Sequence, residues 1–431
     1  MKTRILTILV TLAMCWVQAR PASPAESFSV NGLKVIFVPN KANDIIAVNM
    51  YLRGGSATLD MRQAGIEDLA LRVAILATKN FPKEKLNAEL ERMDTRMFAA
   101  AGRDFSSISL QCVQQNFTRS WKIFTDVLLN PSFDSVDVEL EREKLLSAIR
   151  QSKDDPDQYL SSLAMEAYFV DHPYSVDPSG TESTIRSFTG KDLQSFMRGR
   201  MATSGMLLVV VGNTTREELE KMVNESFGKI PQGRYMASLP PAVSFQTPSL
   251  KVVRRELPTN YITGYYPAPQ TGTDESYAMS LAESILQFRL FEEVRTKRSL
   301  SYAPVSGLGG LFTNYGMIYV TAVQPETTVT VMLNEVKKLQ SEPVSEKILN
   351  DQRNQYLTRY YLRTETNGSQ ADLLARYELS GAGYLKAEKY LESIRNVTPE
   401  AIQKVCQKYM HNLQFVLLGN PAELKLAPFT Y

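Results

Sequence analysis

The chain writes its plan twice. Ser187 to Gln194 opens a helical segment leading to the apolar run Met206 to Asn213, and Asn396 to Gln403 opens another leading to Leu413 to Asn420. The copies lie about 207 to 210 residues apart in a chain of 431. Thr189 and Thr398 both stand where a helix N-cap belongs, and Pro399 suits the first helical position. Both apolar runs close with Gly-Asn. Asn130 to Asp134 precedes a long charged segment through Glu141 and Lys144, and Ser341 to Ser345 precedes another through Asp351 and Arg353. A polar turn follows each (Lys153 to Pro156, Thr364 to Gly368), and then a further helix. Each half also opens with extended segments: Phe28 to Val38 and Ala47 to Leu52 in the first, Leu250 to Val253 and Tyr261 to Tyr266 in the second. Asn31-Gly32 marks a hairpin turn between the first two strands. The pattern predicts an α+β protein of two homologous domains, each a mainly antiparallel sheet with helices packed on one side. Their expected spans are 26–231 and 250–431. The linker, 232–249, falls where Pro, Gly and Ser cluster without periodicity.

Apolar residues make up 44% of the chain, enough for two substantial cores. Lys and Arg number 48 against 46 Asp and Glu, a formal charge of +2. No basic stripe points to nucleic acid as a partner, and no acidic tail points to a basic one. Residues 1–25 read as a signal peptide. Lys2 and Arg4 precede the apolar stretch Ile5 to Val17, Ala19 offers a cleavage position, and Ala25 is a second one. The stretch is short for a membrane span, so an uncleaved anchor is the lesser alternative. The mature protein is expected to be exported, periplasmic or secreted, with no membrane association after signal removal. Cys112 and Cys406, one in each half, read as buried free thiols.

Gly54-Gly55-Ser56 at a strand end, then Gly65-Ile66-Glu67-Asp68-Leu69-Ala70-Leu71-Arg72, then Ala77-Thr78-Lys79-Asn80-Phe81-Pro82 form one ungapped block. It resembles the insulinase/pitrilysin metallopeptidases. In that family a strand ends in Gly-Ser, a helix carries His-x-x-Glu-His, and the exit reads Gly-Thr-Lys-x-[Tyr/Phe]-Pro. The resemblance runs from about Phe28 to Gly419 and implies one half of a metallopeptidase clamshell. Its flanks match, but its chemistry does not. Two histidines on adjacent turns of one helix face would bind zinc, and the glutamate would activate water. Here Asp68 and Arg72 stand at the histidine positions and Leu71 at the glutamate. The third family ligand, a Glu, is expected near Ser147, Ala148 or Ile149, and none of these is acidic. The chain has only two histidines, His172 and His411. His172 matches the family's His-Pro-Tyr ahead of Gly180-Thr181-Glu182-Ser183 and reads as structural, while His411 lies at a helix end. No catalytic residue, metal site or cofactor is therefore expected.

The second half runs Arg289-Leu290-Phe291-Glu292-Glu293-Val294-Arg295, and then Leu300-Ser301-Tyr302. This resembles the family pattern in which an Arg and a Tyr seven residues apart hold the substrate backbone near the zinc. The resemblance thus implies Arg295 and Tyr302 as substrate-binding residues. A guanidinium offers forked donors to peptide carbonyls and a phenol one more. Where active relatives carry an Asn-Ala-x-Thr edge strand, this chain has Phe98-Ala99-Ala100-Ala101, a change that main-chain pairing could survive although the Asn is gone.

The resemblance implies a non-catalytic subunit of an exported heterodimeric zinc peptidase. Its partners would be a zinc-bearing homologous subunit and a peptide substrate. The alternative is a peptide-binding or scaffold protein of the same fold with no role in proteolysis.

Overall fold

The computed structural model describes residues 24–236, 238–421 and 427–430. Apart from its last two positions, the expected signal segment lies outside the described residues. The strands are β1 (Glu26–Val30), β2 (Leu33–Pro39), β3 (Ile45–Arg53), β4 (Arg96–Ala100), β5 (Phe105–Val113), β6 (Met206–Gly212), β7 (Ser249–Arg254), β8 (Asn260–Pro267), β9 (Val305–Leu308), β10 (Tyr315–Ala322) and β11 (Gln414–Gly419). They form two sheets, ordered β1-β2-β6-β3-β5-β4 and β7-β11-β8-β10-β9. Without β1 the orders superimpose, so the sequence repeat is a repeat of topology. Both sheets are mainly antiparallel, and each includes one parallel pair, β2 with β6 and β7 with β11.

Local chemistry fixes the ends of these elements. Asn31 and Gly32, with φ of 47° and 80°, make the tight turn of the β1–β2 hairpin. The Thr189 hydroxyl caps the helix Gly190–Arg200 by accepting from Asp192 N, and Thr398 caps Pro399–Tyr409 by accepting from Ala401 N. The two Gly-Asn closures share a cause. A Cβ on Gly212 would come within 2.8 Å of the Ile46 Cα, and one on Gly419 within 3.0 Å of the Asn260 Cα. At each place the neighbouring strand begins too close for a side chain.

The central strands are apolar throughout because both of their faces are covered. Ile46, Val48, Met50 and Leu52 of β3 join Val35, Phe37, Leu208 and Val210 in a core with the first half's helices. Ile36, Val38, Tyr51, Leu207, Val209 and Val211 face the other way, into a core they share with the second half. The helix Asn367–Leu379 lies against β3 and β6 there, with Ala371 and Ala375 fully buried. The exchange is mutual. The helix Pro156–Tyr168 lies on β8 and β11, with Leu160 and Ala164 packed among Tyr265, Val416 and Leu418. The expected helices on one side of each sheet are thus joined, on the other side, by one helix from the opposite half.

Polar contacts set the position of both exchanged helices. Asn367 Nδ2 donates to the Ile45 carbonyl at 2.6 Å, and Lys34 pairs with Glu378 at 2.6 Å. The Tyr319 hydroxyl donates to Asp157, and Lys251 meets Glu166 at 3.3 Å. Residues 231–248 form no helix or strand among the described positions and run across the junction, where the Pro240 carbonyl accepts from Thr313 Oγ1 at 2.8 Å. No helix among the described residues is long and apolar enough to cross a membrane.

Candidate functional site

The helix Ile66–Ala74 begins at Gly65, where φ is +86°. A side chain there would meet the Ser179 carbonyl oxygen and the Gly180 Cα at 2.9 Å, so only glycine lets the helix start this close to its neighbour. The helix packs on Ser135–Asp154 and Gly190–Arg200. Asp68 is buried, and its Oδ1 accepts from Arg72 Nε at 2.8 Å across one helical turn. Burial raises the Asp68 carboxyl's pKa, against the pull of Arg72 and with the carboxylates of Asp177 and Glu141 adding to the rise. Leu71 belongs to the apolar core. Glu67 is buried and takes Arg200 at 3.0 Å.

On the facing helix Ser147 and Ala148 are exposed, and Ile149 is in the core. The acidic group that helix turns toward Asp68 is Glu141, which spacing alone did not single out. It is buried and paired with Lys144 at 2.7 Å. Each carboxylate at this place therefore has its own cation, and a divalent metal would have to displace Arg72 to reach Asp68. The residues do not fit zinc. Among the described residues no three His, Cys, Asp or Glu side chains are grouped as metal ligands.

Both histidines are held by the backbone. His172 Nδ1 accepts from Tyr174 N at 3.1 Å, which leaves Nε2 to donate to the Pro241 carbonyl at 2.9 Å. His411 Nε2 lies 2.9 Å from the Lys408 carbonyl. Cys112 and Cys406 are buried and unpaired, in different cores.

Close to the Ile66–Ala74 helix runs β4, the edge of the first sheet. Arg96, Phe98 and Ala100 point outward, alternating with half-buried Met97 and Ala99. The outer rim of β4 has no strand partner among the described residues, so an extended peptide could pair with it.

In the second half the helix Asp274–Leu290 continues into a π turn, Phe291–Thr296. Such turns widen the helix and re-aim side chains, often at functional sites. Leu300 N then donates to the Val294 carbonyl at 2.9 Å, and Ser299 takes a positive φ of 50°. That reversal lays the Tyr302 ring over Arg295, whose guanidinium carbon is 4.0 Å from the ring centre and 4.7 Å from that of Phe291. Tyr302 is 76% exposed, so the stack stands in solvent. The two residues singled out by sequence thus meet in space. Arg298 turns away and binds Glu293.

Sequence reasoning passed over the support beneath this stack. Glu283 is enclosed in the core and accepts from the hydroxyls of Tyr266 and Ser306. No cation pairs with it among the described residues, and burial pushes its carboxyl up to about 8. One turn on, Gln287 accepts from Ser306 N at 2.7 Å and donates to the Pro304 carbonyl at 3.1 Å. Together they fix the segment between Tyr302 and β9. The one visible signal was a pair of hydrogen-bonding residues four apart, Glu283 and Gln287, along the helix Asp274–Leu290.

Known proteins share this fold. The sequence model described as "Insulinase (Peptidase family M16)" matches residues 34–181, and "Peptidase M16 inactive domain" matches 187–356. An uncharacterized zinc protease of Rickettsia felis is 20% identical, over 93% of this chain and 99% of its own length. The mitochondrial-processing peptidase subunit beta of Saccharomyces cerevisiae is also 20% identical, over 90% of each chain. The solved peptidase M16 inactive domain from Pseudomonas fluorescens superposes with a TM-score of 0.85 at 18% identity, over 93% of this chain and 99% of that one. The periplasmic protease PqqL of Escherichia coli gives a TM-score of 0.76 at 16% identity, over 95% of this chain and 50% of PqqL.

Proposed function

Because the chain belongs to the insulinase family, peptidase M16, and lacks that family's zinc motif, we propose that it is the non-catalytic subunit of an exported two-chain zinc peptidase. It contributes peptide binding, and a homologous zinc-bearing chain performs the cleavage. One contrast carries this reading. At the family's metal position Asp68 and Arg72 neutralise each other, while half-buried Arg295 lies stacked under a solvent-exposed Tyr302.

The substrate in this reading is an extended peptide gripped through its backbone. The Arg295 fork donates to its carbonyls and the Tyr302 phenol adds one more hydrogen bond. The free rim of β4 offers main-chain pairing that tolerates many sequences. Similarity to a subunit of mitochondrial-processing peptidase supports a paired arrangement. Similarity to periplasmic PqqL supports export.

Affinity purification of the mature protein from its native host tests the proposal. The expected result is a co-purifying homologue with a complete His-x-x-Glu-His. Zinc should be near one per pair and absent from this chain alone, and peptide cleavage should require both chains. A chain that binds peptides but recovers no such homologue would instead be a scaffold. About one zinc in the isolated chain, with chelator-sensitive cleavage, would overturn the non-catalytic reading outright.

A further inference from the structure

Arg53 ends β3 at the junction between the halves. Its guanidinium is half-buried and makes no hydrogen bond or ion pair with another described residue. Burial draws its pKa down, the mark of a cation taken from water without a matched partner. The carboxylate that acts on it is Glu378, which is already engaged: one oxygen takes Lys34 at 2.6 Å and the other accepts from Tyr384 N at 3.3 Å. Arg53 lines a cavity of about 170 Å³ together with Thr58, Tyr235, Ser238 and Phe312. Tyr235 is anchored by its backbone N on Ser204 Oγ at 3.0 Å, and both Arg53 and Arg200 act on its hydroxyl. Arg200 is paired with Glu67 at 3.0 Å, whereas Arg53 has only the more distant pull of Glu378.

The other titratable group on the cavity wall is Asp104. Its oxygens already accept from the Tyr174 hydroxyl and from Phe312 N at 3.0 Å, and burial raises its pKa. It therefore does not compete for Arg53. At roughly 10–15 Å³ for each water on this scale, the space of about 170 Å³ holds on the order of ten waters, room for a small anion and part of its hydration.

We propose that this cavity binds a small oxyanion, a carboxylate or phosphate, through the Arg53 fork and the Tyr235 hydroxyl. Such a ligand would touch the first half at Arg53, the linker at Tyr235 and the second half at Phe312. It would bind where the halves meet and stabilise the junction by mass action. The site is separate from the Arg295–Tyr302 stack and does not depend on the proposed peptidase role.

Calorimetry and thermal unfolding of the mature chain with sodium acetate, succinate or phosphate, against sodium chloride at matched ionic strength, provide the test. At least one oxyanion should give a saturable rise in Tm that chloride does not. Preference for phosphate over succinate, or the reverse, identifies the source of the anion. Arg53→Gln and Tyr235→Phe should each weaken binding, by roughly tenfold to a hundredfold for the charged contact, while the exposed Arg298→Gln leaves it intact. Should Arg53→Gln fail to fold, Tyr235→Phe alone decides, since it keeps the ring and removes one oxygen. No saturable response to any of the three anions, or equal responses in the wild type and the variants, would overturn the site.

Discussion

A guanidinium stacked between two rings, as Arg295 is between Phe291 and Tyr302, has little side-chain entropy left to lose on meeting a peptide. In the reconstituted pair, Arg295→Ala should lower kcat/KM by roughly tenfold to a hundredfold, the cost of a charge-assisted hydrogen bond, and Tyr302→Phe by roughly twofold to tenfold, the cost of a neutral one, with assembly intact in both. Arg295→Lys should also be damaging, because an ammonium cannot reproduce the fork. Arg298→Ala, which loses only an exposed pair with Glu293, should be nearly silent. Unchanged rates in the three Arg295 and Tyr302 variants would remove the substrate-binding role. Glu283 supports a second prediction. Its ordinary value of 4.5 rises to about 8 in the folded chain. Between those pH values the unfolded chain has shed a proton that the folded one keeps, so stability falls as pH rises across that window. Each unit of difference is about 1.4 kcal/mol, which makes the total several kcal/mol. Glu283→Gln should flatten that slope and raise Tm at pH 8 relative to wild type. An unchanged pH profile would mean that Glu283 ionises without hindrance. The Arg295–Tyr302 pair was legible because a linear motif carried it. Glu141 and Glu283 were not, since their meaning comes from what the fold places opposite them.

Caps, the Asn-Gly hairpin and the closing glycines were readable element by element, because each satisfies a local requirement of the backbone. The exchanged helices were not. Unbroken apolar strands such as Met206–Val211 announce two covered faces, but periodicity does not say which helix covers them. The second face of the first sheet buries Ile36, Val38, Tyr51, Leu207, Val209 and Val211. At about 1.5–3 kcal/mol for each fully buried side chain, this is on the order of 10 kcal/mol, comparable with the whole net stability of a domain. Neither half should therefore persist alone. Limited proteolysis within 242–248 should leave two fragments that co-elute at the native size and separate only in denaturant. Fragment 26–231 expressed by itself should aggregate, and a soluble, monomeric fragment with a cooperative melt would refute the exchange as a source of stability.

For the molecule as a whole, the repeat was enough to give the α+β class and the two sheets, because a duplicated sequence folds to a duplicated topology. The junction between the halves was beyond it, since contacts such as Asp104 with Phe312 N or His172 with the Pro241 carbonyl join residues with no sequence relation. Export is testable at this scale. Ala25 is buried, and its N donates to Glu388 at 2.7 Å, so cleavage after Ala25 would discard a packed residue, whereas cleavage after Ala19 would not. Intact mass of protein from the native host should place the first residue at Arg20, and a first residue at Glu26 would contradict this. The exchange of helices also sets a timetable. A ribosome releases β6 long before it releases Asn367–Leu379, and at about 5–20 residues per second the interval is on the order of ten to thirty seconds. Throughout it the strands of the first sheet are out without the helix that covers their second face, so that sheet cannot complete its core until the second half follows.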